Sequence, residues 1–354
     1  VLPRVWLVPY LKGWSYDHTA LAIAKHLAHR FEFRIAYQTD VDEGILETWP
    51  ADLLIDFWWN GKVHERFPGR VLKQVSSHRW SMLAWGRLKP IDLLNRHCHY
   101  VAGVMVPSHR LLAELGDASR SAERHRRVML GPKGYEPSQL ESYRTHRGDL
   151  VVGWAGNAKG KDKRVPRLLE AEPSAVIADQ CLTRDEMCDF YNSLDVIAIP
   201  SDAEGDPRTL IEGMACGCFP VATDVGIVPE LVRNGENGLI IERTLEGLRD
   251  GFAWCRRNLE FIRAAGRRNA EQMRSSRTWA HVMPAWGDAI EQSLTLCSPM
   301  AFTKKEPARV LGSASQKDPS DLRARILQQR IHDEQENARL VKETRTKLAE
   351  RRRR

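Results

Sequence analysis

No run of apolar residues in this 354-residue chain approaches the roughly 18–20 needed to cross a bilayer, so no membrane-spanning helix is expected. No C-x-x-C pair occurs, and the seven cysteines (98, 181, 188, 216, 218, 255 and 297) are odd in number. That argues against a disulfide framework and for a reducing compartment, hence a cytoplasmic protein. The opening VLPRVWLVPY has no leading Met, basic n-region or small-residue cleavage site. It does not read as a signal peptide, and whether residues precede Val1 is left open. Clusters with metal-ligand spacing are also scarce. His97-Cys98-His99 would aim both imidazoles one way along a strand, but no second cluster completes a site, so no metal is expected. Asp40-Val41-Asp42 matches a D-x-D pattern and reads as an exposed loop.

What is present fits a globular protein of two domains and a tail. Apolar residues make up 42% and charged residues 28%, within the range of chains that bury a core. The length exceeds what one core usually sustains. Net charge is +7, and part of it sits at the end, where residues 318–354 hold eleven Lys/Arg against seven Asp/Glu. Such a balance suits anionic lipid surfaces, nucleic acid or phosphate-bearing substrates, without choosing among them.

Short apolar strands alternate with helical periodicity along both halves. Strands are expected at residues 4–10, 33–37, 52–58, 71–75 and 101–106, with helices over 19–31 and 108–115. A turn-rich stretch, GPKGYEPSQLESYRTHRGD, marks the boundary. The alternation resumes with strands at 150–154, 175–178, 195–200, 219–223 and 238–241, and helices then fill 245–292. Such alternation predicts two parallel sheets covered on both faces. The expected domains are 1–140, 141–297 and a linker with a charged helical tail over 298–354. That tail reads as a solvated helix or weak coiled coil, suited to peripheral contact with the inner membrane surface or to self-association.

The informative run is IPSDAEGDPRTLIEGMACGCFPVATDVGIVPELV, residues 199–232. A buried strand ends at Pro200 and opens into a loop at the sheet edge where α/β proteins bind ligands. Asp206 is expected to cap the next helix, with Pro207 at its first position. The first N–H groups, at Arg208 and Thr209, would then face a phosphate with the positive end of the helix dipole. Glu204 lies on the loop, where an acid can approach a sugar ring. Glu212 lies one turn into the helix among apolar neighbours and needs a partner, such as the two hydroxyls of a ribose. Gly205, Gly213 and Gly217 remove side chains where a ligand or strand must come close.

This run resembles the donor-binding signature of the GT-B fold glycosyltransferases, family 4 in particular (glycosyl transferases group 1). Glu204, Gly205, Pro207 and Glu212 match its first part, and Ala215-Cys216-Gly217, Pro220-Val221, Thr223 and Gly226 its second. Phe190-Tyr191, Asp195 and the stretch from Val152 to Ala171 extend the likeness upstream, to about residues 128–292. The resemblance implies two facing Rossmann-like domains and a retaining, metal-independent transfer of sugar from a nucleotide-sugar donor, a UDP- or GDP-sugar, with no other cofactor. It implies that Glu204 contacts the donor sugar, that Glu212 holds the ribose and that Lys163 neutralises the diphosphate, with Gly156 in the phosphate loop. Asn157 stands where the family often has Arg, and Arg208 or Arg164 could replace that cation. In the amino-terminal half, Gly13 falls at the family's glycine-rich turn, and His78 is the group expected to reach the donor sugar. Trp58-Trp59-Asn60 could stack on a sugar or base, or simply pack.

The expected acceptor is a hydroxyl on a surface polysaccharide, lipopolysaccharide or glycolipid. Two alternatives stand beside it. One is a glycosyltransferase acting on modified bases of DNA, which the basic tail and residues 116–127 would suit. The other is a non-catalytic nucleotide-sugar-binding scaffold. A phosphorylase would need a pyridoxal-lysine context and a longer chain.

Overall fold

The computed structural model describes residues 1–297 except 42–43, 60, 79–87, 99, 121–126, 144–147 and 180–181. The expected tail, and with it Asn60, Asp42, His99 and Cys181, lies outside the described residues. Two wholly parallel sheets form the frame. The first has six strands: β1 (Arg4–Val8), β2 (Glu32–Ile35), β3 (Leu53–Asp56), β4 (Val71–Gln74), β5 (Gly103–Val106) and β6 (Val128–Leu130), in the order β2-β1-β3-β4-β5-β6. The second has five: β7 (Val152–Gly156), β8 (Val176–Asp179), β9 (Val196–Ile199), β10 (Phe219–Thr223) and β11 (Leu239–Ile241), in the order β11-β10-β9-β7-β8.

Alternate residues of each strand enter different cores, as side chains of period two must. In the first sheet Val5, Leu7, Leu53 and Ile55 face one layer, and Trp6, Val8, Leu54 and Val71 the other. In the second, Ile197, Ile199 and Ala222 separate in the same way from Val196, Ala198 and Val221. Strand order reverses between β1 and β3 in the first sheet and between β7 and β9 in the second. Such a reversal, beyond the carboxyl ends of the strands, is where open α/β sheets generally bind ligands.

Several expectations are corrected. The first helix runs Ser15–His26 rather than 19–31; it starts early because the Asp17 carboxylate accepts the Gly13 N–H at 2.7 Å. A helix at Pro90–His97, begun by proline and by Asp92 accepting the Lys89 N–H, occupies the segment where a strand would have aligned His97 with His99. Asp40 lies in a short helix, Gln38–Val41, and accepts the Tyr37 N–H. Among the described residues no group of His, Cys, Asp or Glu is placed to hold a metal ion, and no helix is long and apolar enough to cross a membrane. None of the six described cysteines is in a disulfide, and Cys216 and Cys218 are buried.

The last described helix, Trp279–Leu296, does not pack with the sheet that precedes it. Trp279, Val282, Met283, Trp286, Ala289 and Ile290 enter the core of the first domain beside Val5, Leu53 and Ile55. The Trp286 indole N–H also donates to the Pro132 carbonyl at 2.9 Å. The chain therefore crosses between domains twice. The crossings lie side by side: the Tyr135 N–H donates to the Arg277 carbonyl at 3.3 Å and the Trp279 N–H to the Tyr135 carbonyl at 3.0 Å.

Candidate functional site

Both loops flanking the reversal in the second sheet carry charged groups, and they meet. After β7, Gly156 turns at a φ of +147°, and Lys161–Lys163 forms a single 3-10 turn. After β9, the loop Ser201–Pro207 brings Glu204 to Lys163, with Lys163 Nζ 2.5 Å from Glu204 Oε1. The Ser201 hydroxyl donates to the same oxygen at 2.9 Å. Both side chains of the pair keep some exposure, 26% for Lys163 and 13% for Glu204, so the pair faces space that a ligand can enter. Arg164 and Arg167 turn to Asp202 instead.

The helix Arg208–Ala215 starts one residue later than expected, with Pro207 as its N-cap and no side chain capping it. Asp206 does not cap this helix. Its carboxylate is buried and accepts the Lys133 N–H at 2.8 Å, with Arg277 Nη2 at 3.4 Å. Burial pushes the Asp206 carboxyl above the usual range, against the pull of Arg277 and Lys133. The proline supplies the reason, because a fixed, extended Pro207 lets the preceding carboxylate swing away from the first turn and into the hinge.

Glu212, one turn in, is buried. Its Oε1 accepts from Arg184 Nη1 and from Arg208 Nη2, each at 2.6 Å, and its Oε2 accepts from the Tyr191 hydroxyl at 2.9 Å. Burial alone would raise this carboxyl, but Arg208 and Arg184 hold it down at about 2. Two guanidiniums on one carboxylate leave an excess of positive charge at the helix start. Arg208 Nη1 is buried there without a hydrogen-bond partner among the described residues. Thr209 follows, half-buried. His18, on the first helix of the other domain, faces this cluster. Its burial, with Arg208 and Arg184 nearby, lowers its imidazole to about 4.

The two domains touch across the site. Ser77, just beyond β4, forms an antiparallel bridge with Gly205, and His78 follows directly, its Nε2 3.0 Å from Glu114 Oε2. The contact needs a residue without a side chain, since a Cβ on Gly205 would lie 1.5 Å from the Ser76 carbonyl oxygen. Farther along, Glu230 accepts the His109 N–H at 2.8 Å, and Arg110 pairs with Asp224 at 3.0 Å.

At the reversal in the first sheet the loops are aromatic. Tyr10 and Trp58 stack at 4.8 Å, and Trp14, 41% exposed, lies 6.0 Å from Tyr10. Gly13 turns beside them at a φ of +80°. Trp59 is separated from this group, buried edge-on against His97. Of the tandem tryptophans, one is core and one lines the edge.

Lys163, Glu204 and Gly205 thus come together at the reversal, with Gly156 at the end of β7 and Arg208 and Glu212 in the following helix. Ser77 meets Gly205 from the facing domain, whereas the expected His78 imidazole is engaged by Glu114 of its own domain. Arg184, Tyr191, Lys133, Arg277 and His18 were not singled out as site residues from the sequence. Arg184 carried one local signal, its place at the first turn of a helix capped by Thr183 and Glu186. Its pairing with Glu212, 28 residues away, had none.

The model of glycosyl transferases group 1 matches residues 139–255. D-Inositol 3-phosphate glycosyltransferase of Rhodococcus erythropolis is 33% identical over 101 residues, 27% of this chain and 22% of that protein. The chain thus spans less than a quarter of the length of that relative in the match. Among solved structures, sucrose-phosphate synthase of Thermosynechococcus elongatus superposes with a TM-score of 0.67 at 12% identity, over 83% of this chain and 99% of that one. Anabaena HepE, solved with UDP and glucose, superposes with a TM-score of 0.60 at 13% identity, over 82% of this chain and 100% of that one. The segment that supplies Lys163, Arg184, Tyr191, Glu204, Arg208 and Glu212 is therefore a glycosyl transferases group 1 domain, carried on a GT-B fold of two facing Rossmann-like sheets.

Proposed function

We propose that this chain is a retaining glycosyltransferase that moves a sugar from a nucleoside-diphosphate donor, a UDP- or GDP-sugar, to a hydroxyl of a carbohydrate-bearing acceptor. The observation that carries this reading is the pair of ion clusters, Lys163–Glu204 and Arg184–Arg208–Glu212, at the crevice of the second sheet. A diphosphate supplies the anion such cations suit, and cationic contacts stabilise the charge that develops on a departing nucleoside diphosphate. Glu212 would then be released toward the ribose hydroxyls, while Glu204 would face the sugar. That HepE was solved with UDP and glucose favours the same class of donor.

What favours a sugar acceptor is the aromatic group Tyr10–Trp14–Trp58 at the other crevice, because a pyranose presents an apolar face to a ring. A surface polysaccharide, lipopolysaccharide or glycolipid provides such a ring beside its hydroxyl.

The test is a panel of nucleotide sugars read by thermal shift and by release of nucleoside diphosphate. Glu212→Ala should abolish stabilisation by nucleotide, and Glu204→Ala should keep binding but lose transfer. Equal donor affinity in wild type and Glu212→Ala would remove the ribose assignment. A wild-type protein stabilised by no nucleotide would remove the function itself.

A further inference from the structure

Outside the paired clusters, a buried charged side chain lies at the hinge where the chain crosses between the domains. Lys133 sits on the first crossing between the domains, and its side chain is buried although it carries an ammonium. Its backbone N–H donates to Asp206 Oδ2 at 2.8 Å, its Nζ donates to the Asp206 carbonyl at 3.1 Å, and that ammonium lies 5.2 Å from the centre of the Tyr16 ring. Arg277, on the second crossing, reaches the same Asp206 oxygen at 3.4 Å. One carboxylate therefore binds both crossings.

Asp206 is the neighbour of Gly205 and two residues from Glu204. The Gly205 carbonyl accepts the Ile227 N–H at 2.8 Å, and Gly205 bridges Ser77. The Tyr16 hydroxyl bonds the Ser76 hydroxyl. These contacts close a ring: Lys133 to Asp206, along the loop to Gly205, across to Ser76 and Ser77, through Tyr16, and back to the ammonium. The ring joins both domains and the hinge, and Glu204 hangs from it. Asp206 Oδ1 and Arg277 Nε are buried without hydrogen-bond partners among the described residues, so the ring is not saturated and its geometry can alter.

We propose that Lys133, acting through Asp206, is a positioning residue that holds the Glu204 loop against the amino-terminal domain, so that the seating of the hinge sets the placement of Glu204. This rests on the glycosyltransferase reading for its turnover arm only; the coupling of hinge to loop is a property of the free protein. The charged groups facing the ammonium are Asp206, Glu204, Arg208 and Lys163, with Arg277 across the Asp206 carboxylate. Burial draws the Lys133 ammonium down to about 8, so its charge, and its grip on the Asp206 carbonyl, weaken above that pH.

The test compares wild type with Lys133→Met, Lys133→Arg and Asp206→Asn. In the free protein, hydrogen exchange at the Ile227 amide, which is bonded to Gly205, should quicken about tenfold or more in Lys133→Met and Asp206→Asn, while β9 and β10 amides hold. UDP affinity by calorimetry should stay within about threefold, as expected for a change outside the nucleotide contacts. Release of UDP from UDP-glucose should slow about 100-fold in kcat, with little change in KM. Lys133→Arg should restore part of that rate and move the alkaline fall near pH 8 upward. Wild-type exchange at Ile227 in both Lys133→Met and Asp206→Asn would overturn the proposal, whatever the donor. Loss of UDP binding together with a uniform rise in exchange would also overturn it, by showing a structural role alone. A wild-type protein inert toward UDP-glucose would count against that donor alone, and the exchange result would still decide the hinge coupling.

Discussion

Gly205→Ala is the sharpest perturbation the interdomain contact allows. The added Cβ would lie 1.5 Å from the Ser76 carbonyl oxygen and 2.4 Å from the carbonyl carbon, against ordinary contact from 3.4 Å. Both are backbone atoms, so no side chain can rotate out of the way. The loop cannot retreat toward its own domain either, because Gly226 packs so closely that a Cβ there would lie 2.1 Å from the Gly205 oxygen. Relief must come from parting the two domains, from 1.5 to about 3.4 Å at this point, an opening of roughly 2 Å. Ser77 and His78 move away from the Glu204 loop by that amount. A misplacement of about 1 Å at a reacting centre can cost about 100-fold in rate, so transfer should fall by at least about that factor. The proposed nucleotide contacts, Lys163, Arg208 and Glu212, lie within the second domain, so UDP affinity should change by less than about threefold. Calorimetry with UDP and a steady-state assay of UDP release separate the two effects. Wild-type turnover in Gly205→Ala would refute the claim that the two halves act together across this bridge, and an equal loss of UDP binding would show that the loop itself had collapsed.

Two further expectations concern stability and pH. Trp286→Ala should cost roughly 3–5 kcal/mol, because a fully buried indole leaves a cavity in the first domain and orphans the Pro132 carbonyl. Urea denaturation measures this, and a loss confined to the second domain's transition would contradict the packing described. His18 is held below its unfolded value near 6.5, so the fold takes its neutral ring; that contribution is present above about pH 6.5 and lost as pH falls toward about 4. The urea midpoint should therefore drop between pH 7 and 5, and His18→Gln should remove that part of the slope; an unchanged slope in the variant would show that the ring is not the titrating group.

Much of the site was legible because it is local. An apolar strand, a polar loop with three acids and a glycine, and an amphipathic helix fall within 20 residues, and strand-end geometry places the loop at the sheet edge. What was not legible depends on distant partners. Glu212 visibly needed a counter-charge, but nothing near it in the chain names Arg184. Asp206 before Pro207 looks like a cap, and only the folded hinge offers it the competing Lys133 N–H and Arg277. Alternation says that Trp58 and Trp59 point opposite ways but not which one is buried. The periodicity of residues 279–296 is plain, whereas the identity of the sheet it covers is decided by a crossing that no local pattern marks.

That final crossing has a consequence for how the protein is made. The six-stranded domain is encoded before the five-stranded one, yet its core lacks Trp279, Met283 and Trp286 until the five-stranded domain has also been translated. The second domain, contiguous from about residue 139 to 276, emerges with its core entire and can fold as a unit. The half translated earlier should thus be the later to finish, waiting with an apolar face uncovered for the last helix to arrive.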